Sequence, residues 1–226
     1  DVGVAYSIAL ALLGISAAVF GKWVERSGPR KTMLASMLCF CTGLVLASCA
    51  VKWHQLWLLY AGYGLIGGIG LGLGYIAPVS TLMKWFPDRP GMATGMAIMG
   101  FGGGALIGGP LAEELMKRFA SATSVGAQEA FLIMAGLYAI SMLFGAWIVR
   151  VPAEGWKPAG WEPKEHVKPL VTNANVAVDV AWKTPQFWML WVVLCMNVSA
   201  GIGILGQASP MIQDMFGVSA AAVANV

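Results

Sequence analysis

Between residues 25 and 31 the chain runs Glu-Arg-Ser-Gly-Pro-Arg-Lys, four charges and a Gly-Pro turn set between two long stretches without an ionised side chain. Each stretch, residues 2–20 and 32–51, holds about 20 residues. At ~1.5 Å of rise per residue, a helix of that length crosses a ~30 Å hydrocarbon core. A tight basic turn joining two such helices is a cytoplasmic hairpin loop by the positive-inside rule. An integral membrane protein is the only class that this pattern suits.

Four more apolar runs are long enough to span: residues 56–83, 92–111, 130–149 and 187–212. With the 25–31 loop inside and strict alternation, 11 of the Lys and Arg residues fall on the inner side. Only three, Lys52, Lys117 and Arg118, fall outside. Trp23, Trp53, Trp57, Trp85, Trp147 and Trp188 stand near run ends, as interfacial anchors do. The one long connection, rich in Pro, Lys, Glu and Trp, reads as a polar cytoplasmic linker over 151–183. It divides most of an N-terminal bundle (1–150, five spans) from the start of a C-terminal bundle (184–226). The end of the linker offers either a short interfacial helix, with Asp179 and Lys183 four residues apart, or irregular chain.

Composition agrees. The hydrophobic fraction is 58% and the charged fraction 11%, against the ~25% charged residues usual in soluble proteins. A net charge of +3, spread over loops, gives nucleic acid no basic patch to bind. Cys39, Cys41, Cys49 and Cys195 have no metal-ligand spacing and read as small buried hydrophobes. His54 and His166 fall in loops, so no cluster of the kind an intramembrane enzyme needs is visible, and neither cofactor nor metal is expected.

The loop Gly21-Lys22-Trp23-Val24-Glu25-Arg26-Ser27-Gly28-Pro29-Arg30-Lys31 resembles the signature loop of the major facilitator superfamily. In that family it joins the second and third of twelve helices. Glu25 stands where Asp is more usual. The resemblance implies a cytoplasmic gate in which Glu25, Arg26, Arg30 and Lys31 form latching ion pairs; a plain topology-setting loop is the simpler alternative. Three further stretches narrow the likeness. Tyr75-Ile76-Ala77-Pro78 leads into Lys84-Trp85-Phe86-Pro87-Asp88-Arg89-Pro90-Gly91. Met99-Gly100-Phe101-Gly102-Gly103-Gly104 precedes Ile107-Gly108-Gly109-Pro110. Thr184-Pro185-Gln186-Phe187-Trp188 is followed by Asn197 and Gln207-Ala208-Ser209-Pro210. Together, in this order, they resemble the oxalate–formate antiporters, relatives of the monocarboxylate transporters. Pro90 departs from the pattern, in which a basic residue often follows Asp-Arg.

The resemblance implies an all-α major facilitator bundle, helices two to seven and the start of eight. The implied work is alternating-access transport of small organic anions such as oxalate, formate or lactate, coupled to a proton or a counter-anion, in a bacterial inner membrane. A facilitator for another small solute and a non-transporting sensor of the same fold are the alternatives. The chain opens at Asp1 without Met and stops amid another apolar segment, so it is expected to be part of a longer protein.

The residues add their own reading. Gly64, Gly68 and Gly72 recur every four positions, as do Gly100, Gly104 and Gly108, giving two small-residue faces for close helix packing. Tyr75, Asn197 and Gln207 are polar groups at membrane depth and are candidates to line a substrate cavity, although either amide can equally serve to join helices. No ionised side chain lies deep in any run. A carboxylate carrier needs a buried cation as its anchor, and the resemblance puts that cation in helices beyond Val226.

Overall fold

The structure is a computed structural model; it describes residues 2–121, 124–153, 155–158, 160, 176 and 178–217, with backbone alone at 178–179 and 202–210. Its helices are α1 (Val2–Trp53), α2 (Leu56–Leu59), a π-helical segment (Tyr60–Gly67), α3 (Gly68–Trp85), α4 (Pro90–Phe119), α5 (Ala127–Ile148), α6 (Val178–Ala181) and α7 (Pro185–Phe216). They form two compact units, residues 1–163 and 164–226. Among the described residues, four continuous helical stretches are long and apolar enough to cross a membrane: Val2–Trp53, Leu56–Trp85, Pro90–Phe119 and Ala127–Ile148.

The 52 residues of α1 would measure about 78 Å if straight, far more than a bilayer. The break comes at Gly28, with φ 77° and ψ 163°. Only glycine enters that region without steric cost, and Pro29 after it supplies the fixed φ suited to a helix start. α1 is therefore a hairpin of two arms, residues 2–27 and 29–53, as the sequence pattern predicts. The fourth span outruns its apolar stretch: α4 continues past residue 111 to Phe119. Glu113 and Lys117, 2.9 Å apart, make an i,i+4 ion pair on this extension. Lys117 and Arg118 thus occupy the last turn of α4 instead of a loop.

Small residues make the interior of the first unit. Ala5, Ala9, Ser16, Thr32, Ser36, Ala47 and Ser48 are buried, while large apolar side chains such as Leu38, Ile140 and Phe144 are exposed. A soluble core is built the other way round; here the outward apolar surface meets lipid. The span Leu56–Trp85 lies between the two arms of α1. A Cβ on Gly68 would sit 2.8 Å from the Ala9 carbonyl oxygen, and one on Gly72 would collide with Ser16 Oγ, both on the first arm. A Cβ on Gly70 would lie 2.6 Å from the Phe40 backbone nitrogen, and one on Gly74 2.6 Å from Ser36 Oγ, both on the second. Hydroxyls bridge the same contacts: Ser36 Oγ donates to the Gly70 carbonyl at 2.6 Å, and Ser16 Oγ reaches the Ile69 carbonyl at 3.5 Å. The π segment has a related cause. Its wider turn carries the Gly62 carbonyl against Gly43, where an added Cβ would come within 2.8 Å.

The second arm is also tied to α5, by Ser48 Oγ donating to the Gln128 carbonyl at 2.9 Å. α4 packs chiefly on α3 and α5 among the described elements. The four-residue glycine repeats consequently differ. Gly64, Gly68 and Gly72 are buried against α1, whereas nothing lies within 4 Å of a Cβ built on Gly100 or Gly104, and Gly108 faces the Tyr138 hydroxyl. The cysteines are free; Cys39, Cys41 and Cys49 are partly buried, and Cys195 is exposed. The reading of all four as buried hydrophobes therefore needs correcting, since each borders apolar surface that faces outward.

In the second unit, Thr184 caps α7 in extended conformation, Pro185 occupies its first turn, and Gly217 ends it in the left-handed region with φ 62°. The short helix before it covers only Val178–Ala181, and the side chain of Asp179 lies outside the described residues.

Gly70→Ala should destabilise the intact protein by about 1–3 kcal/mol, the range for overpacking a tight contact. Gly100→Ala should change it by less than ~0.5 kcal/mol. Thermal unfolding of the detergent-solubilised variants measures both.

Candidate functional site

The charged turn and the end of α5 meet at one end of the bundle. A helix leaves its last carbonyls without partners. In α5, Arg30 fills two of these vacancies: Nε donates to the Val149 carbonyl at 3.0 Å and a terminal guanidinium nitrogen to the Trp147 carbonyl at 3.1 Å. A cation at a helix C-terminus also opposes the helix dipole. Trp85, closing α3, donates its indole N–H to the Arg150 carbonyl at 2.8 Å. Its ring stands edge-on to Trp156, with centroids 5.1 Å apart, so the beginning of the linker is held against the bundle.

Beside this clasp lies a groove of about 420 Å³ lined by Glu25, Tyr75, Ile76, Ser80, Met83 and Lys84 among others. Val24, Leu73 and Ala77 are buried together, with Met33, Ile69 and Ile76 packed on them, and Ile76 also lines the groove. Val24 therefore faces inward and Glu25, next in sequence, faces the groove. Tyr75 is half-buried and meets Phe101 of α4 edge-on at 5.7 Å. The structure thus brings together Glu25, expected at the gate, and Tyr75, expected in the cavity. Arg30 is engaged with α5, and Glu25 makes no ion pair among the described residues. Arg26 and Lys31 are exposed. Asp88 pairs at 3.5 Å with the adjacent Arg89, ahead of α4.

Asn197 lies on α7 and is exposed within its own unit. Gln207 is on the same helix, but its side chain lies outside the described residues. Sequence reading missed Trp85, Trp156 and the α5 carbonyls as parts of this end of the molecule. Trp85 carried a signal, an indole at a run end, but its acceptor is a backbone atom that any residue would supply.

A hairpin bundle with large apolar residues on its outer surface, glycine-lined helix contacts and a basic turn between two spans defines a polytopic membrane protein. The profile of the Major Facilitator Superfamily matches residues 1–226, and the chain belongs to that family. It is 28% identical to the Uncharacterized MFS-type transporter YhjX of Escherichia coli (strain K12), over 98% of this chain and 52% of that protein. It is 26% identical to the Oxalate:formate antiporter of Oxalobacter formigenes, over 84% of this chain and 41% of that protein. To the Apicoplast pyruvate carrier 1 of Toxoplasma gondii it is 27% identical, over 80% of this chain and 40% of the carrier. The chain thus spans about half the length, or less, of these relatives.

Arg30→Ala strips two carbonyls of their donor and should cost about 1–2 kcal/mol in thermal unfolding. Arg30→Lys should recover only part of it, because an ammonium cannot reproduce the guanidinium fork.

Proposed function

We propose that the intact protein is a secondary transporter of small carboxylates, such as oxalate, formate, lactate or pyruvate, working by alternating access. The observation that carries this reading is the similarity, over most of this chain, to an oxalate:formate antiporter and a pyruvate carrier within a family to which the chain belongs. Two bundles rock about a central site in this scheme, in an inner membrane with the basic loops in the cytoplasm. A proton or a counter-anion supplies the coupling.

Tyr75, Asn197 and Gln207 would line the path, a phenol and two amides able to hydrogen-bond a carboxylate. Glu25 would gate the cytoplasmic side with Arg26, Arg30 and Lys31. Supporting that role, Glu25 faces an open groove while its helix is braced by buried Val24 behind it. Its carboxylate is available for a partner that arrives when the bundles close, whereas Arg30 braces the loop that carries it.

Counterflow in proteoliposomes of the full-length protein tests the substrate class. Exchange of labelled oxalate, formate, lactate or pyruvate is expected; exchange only of an uncharged or cationic solute would sink the carboxylate reading and leave a facilitator for another substrate. Glu25→Ala should slow exchange about tenfold or more with little change in apparent substrate affinity, since a gate acts on the conformational step. Wild-type turnover in that variant would remove Glu25 from the gate.

A further inference from the structure

Two further cavities lie at the end of the bundle that carries the charged turn, and one of them is lined by two of the gate residues, Arg30 and Lys31. One, of about 390 Å³, is lined by Ser27, Arg30, Lys31 and Arg150, with Gly28, Pro29 and valines completing its wall. Three of its residues are cationic and none is acidic. The other, of about 470 Å³, is lined by Pro78, Leu82, Trp85 and Ile148 and is almost wholly apolar. Val149 and Arg150 line both cavities, so the basic and the apolar space share a wall. Neither shares a lining residue with the Glu25–Tyr75 groove.

We propose that this pair of cavities is a site for an anionic phospholipid, with the phosphodiester headgroup among Arg30, Lys31 and Arg150 and acyl carbon in the apolar cavity. Charge is the first reason. Three cations, with no carboxylate among the described residues that line the cavity, make a positive hollow at the inner interface, where anionic headgroups are concentrated. Pre-organisation is the second. The two carbonyls that hold Arg30 engage only part of its five-donor fork, so the guanidinium is fixed in place with donors to spare. Depth is the third. Trp147, 75% exposed, and Trp85 set the cavities at the level of an interfacial aromatic belt. The fourth reason is the apolar path leading away. Ile140, Phe144 and Trp147 recur on one exposed face of α5, and Leu34 and Leu38 on one exposed face of the second arm. A free phosphate would satisfy the basic cavity and leave the apolar one without a purpose, which favours an amphiphile.

Native mass spectrometry of the intact protein, released from detergent with mixed phosphatidylglycerol and phosphatidylcholine, tests the site. Selective retention of phosphatidylglycerol is expected, falling about tenfold or more in the Lys31→Gln/Arg150→Gln double variant, since two interfacial charges are lost. Lys84→Gln, which removes one charge from the neighbouring groove, should retain the lipid as the wild type does. Unchanged retention in the double variant would overturn the proposal. Equal retention of the two lipids by the unsubstituted protein would do the same, and that comparison stands even if the double variant does not fold. Displacement of the lipid by millimolar inorganic phosphate would make a soluble anion the ligand and end the lipid assignment.

Discussion

Backbone-to-backbone contact between the Leu56–Trp85 span and the two arms of α1 supports everything else in the first unit. In lipid there is no hydrophobic drive to press one helix on another, so the attraction comes from van der Waals contact, which falls steeply with distance. Glycines on opposite faces of one helix, Gly68 and Gly72 toward the first arm and Gly70 and Gly74 toward the second, remove the side chains that would hold the three backbones apart. Ser16 and Ser36 then place hydroxyls where the gap has closed enough for them to reach main-chain carbonyls. The position of Glu25 beside Tyr75 follows from this packing, because each stands on one of the helices so joined.

The end of the bundle that carries the charged turn adds polar ties to that apolar contact. Arg30 and Trp85 leave different helices and converge on the carbonyls that close α5, those of Trp147, Val149 and Arg150. The charged loop consequently has a structural duty in addition to setting orientation. It anchors the exit of the bundle's last helix and the start of the linker, where Trp156 rests on Trp85. That duty accounts for a guanidinium at position 30, because a planar fork spans two carbonyls that a point charge cannot satisfy together.

The hairpin was legible in the sequence because its determinants are local: two uncharged runs and a Gly-Pro break between charges. The glycine faces were legible as spacing alone. Gly64, Gly68 and Gly72 have the same period as Gly100, Gly104 and Gly108, but all of the first set are buried against a neighbouring helix, whereas in the second only Gly108 meets one, at the Tyr138 hydroxyl, and periodicity carries no record of the partner. The end of α4 was misplaced because a hydropathy run stops at Glu113, whereas helix formation continues through strong helix formers and an i,i+4 ion pair. The clasp on α5 was beyond reach, since its acceptors are carbonyl oxygens common to all residues. Of the candidate site, the sequence marked Glu25 and Tyr75 separately; their sharing of one groove depends on how the α3 glycines set the helix against the first arm.

α5 is fastened at both ends, to Ser48 near its beginning and to Arg30 and Trp85 at its close. A tug along the chain beyond Arg150 meets the Trp85 bond to Arg150 first and the two Arg30 bonds, to Val149 and Trp147, behind it. While those bonds hold, the close of α5 moves only together with the turn that carries Arg30 and with the end of α3, so a displacement at the linker is passed on to both.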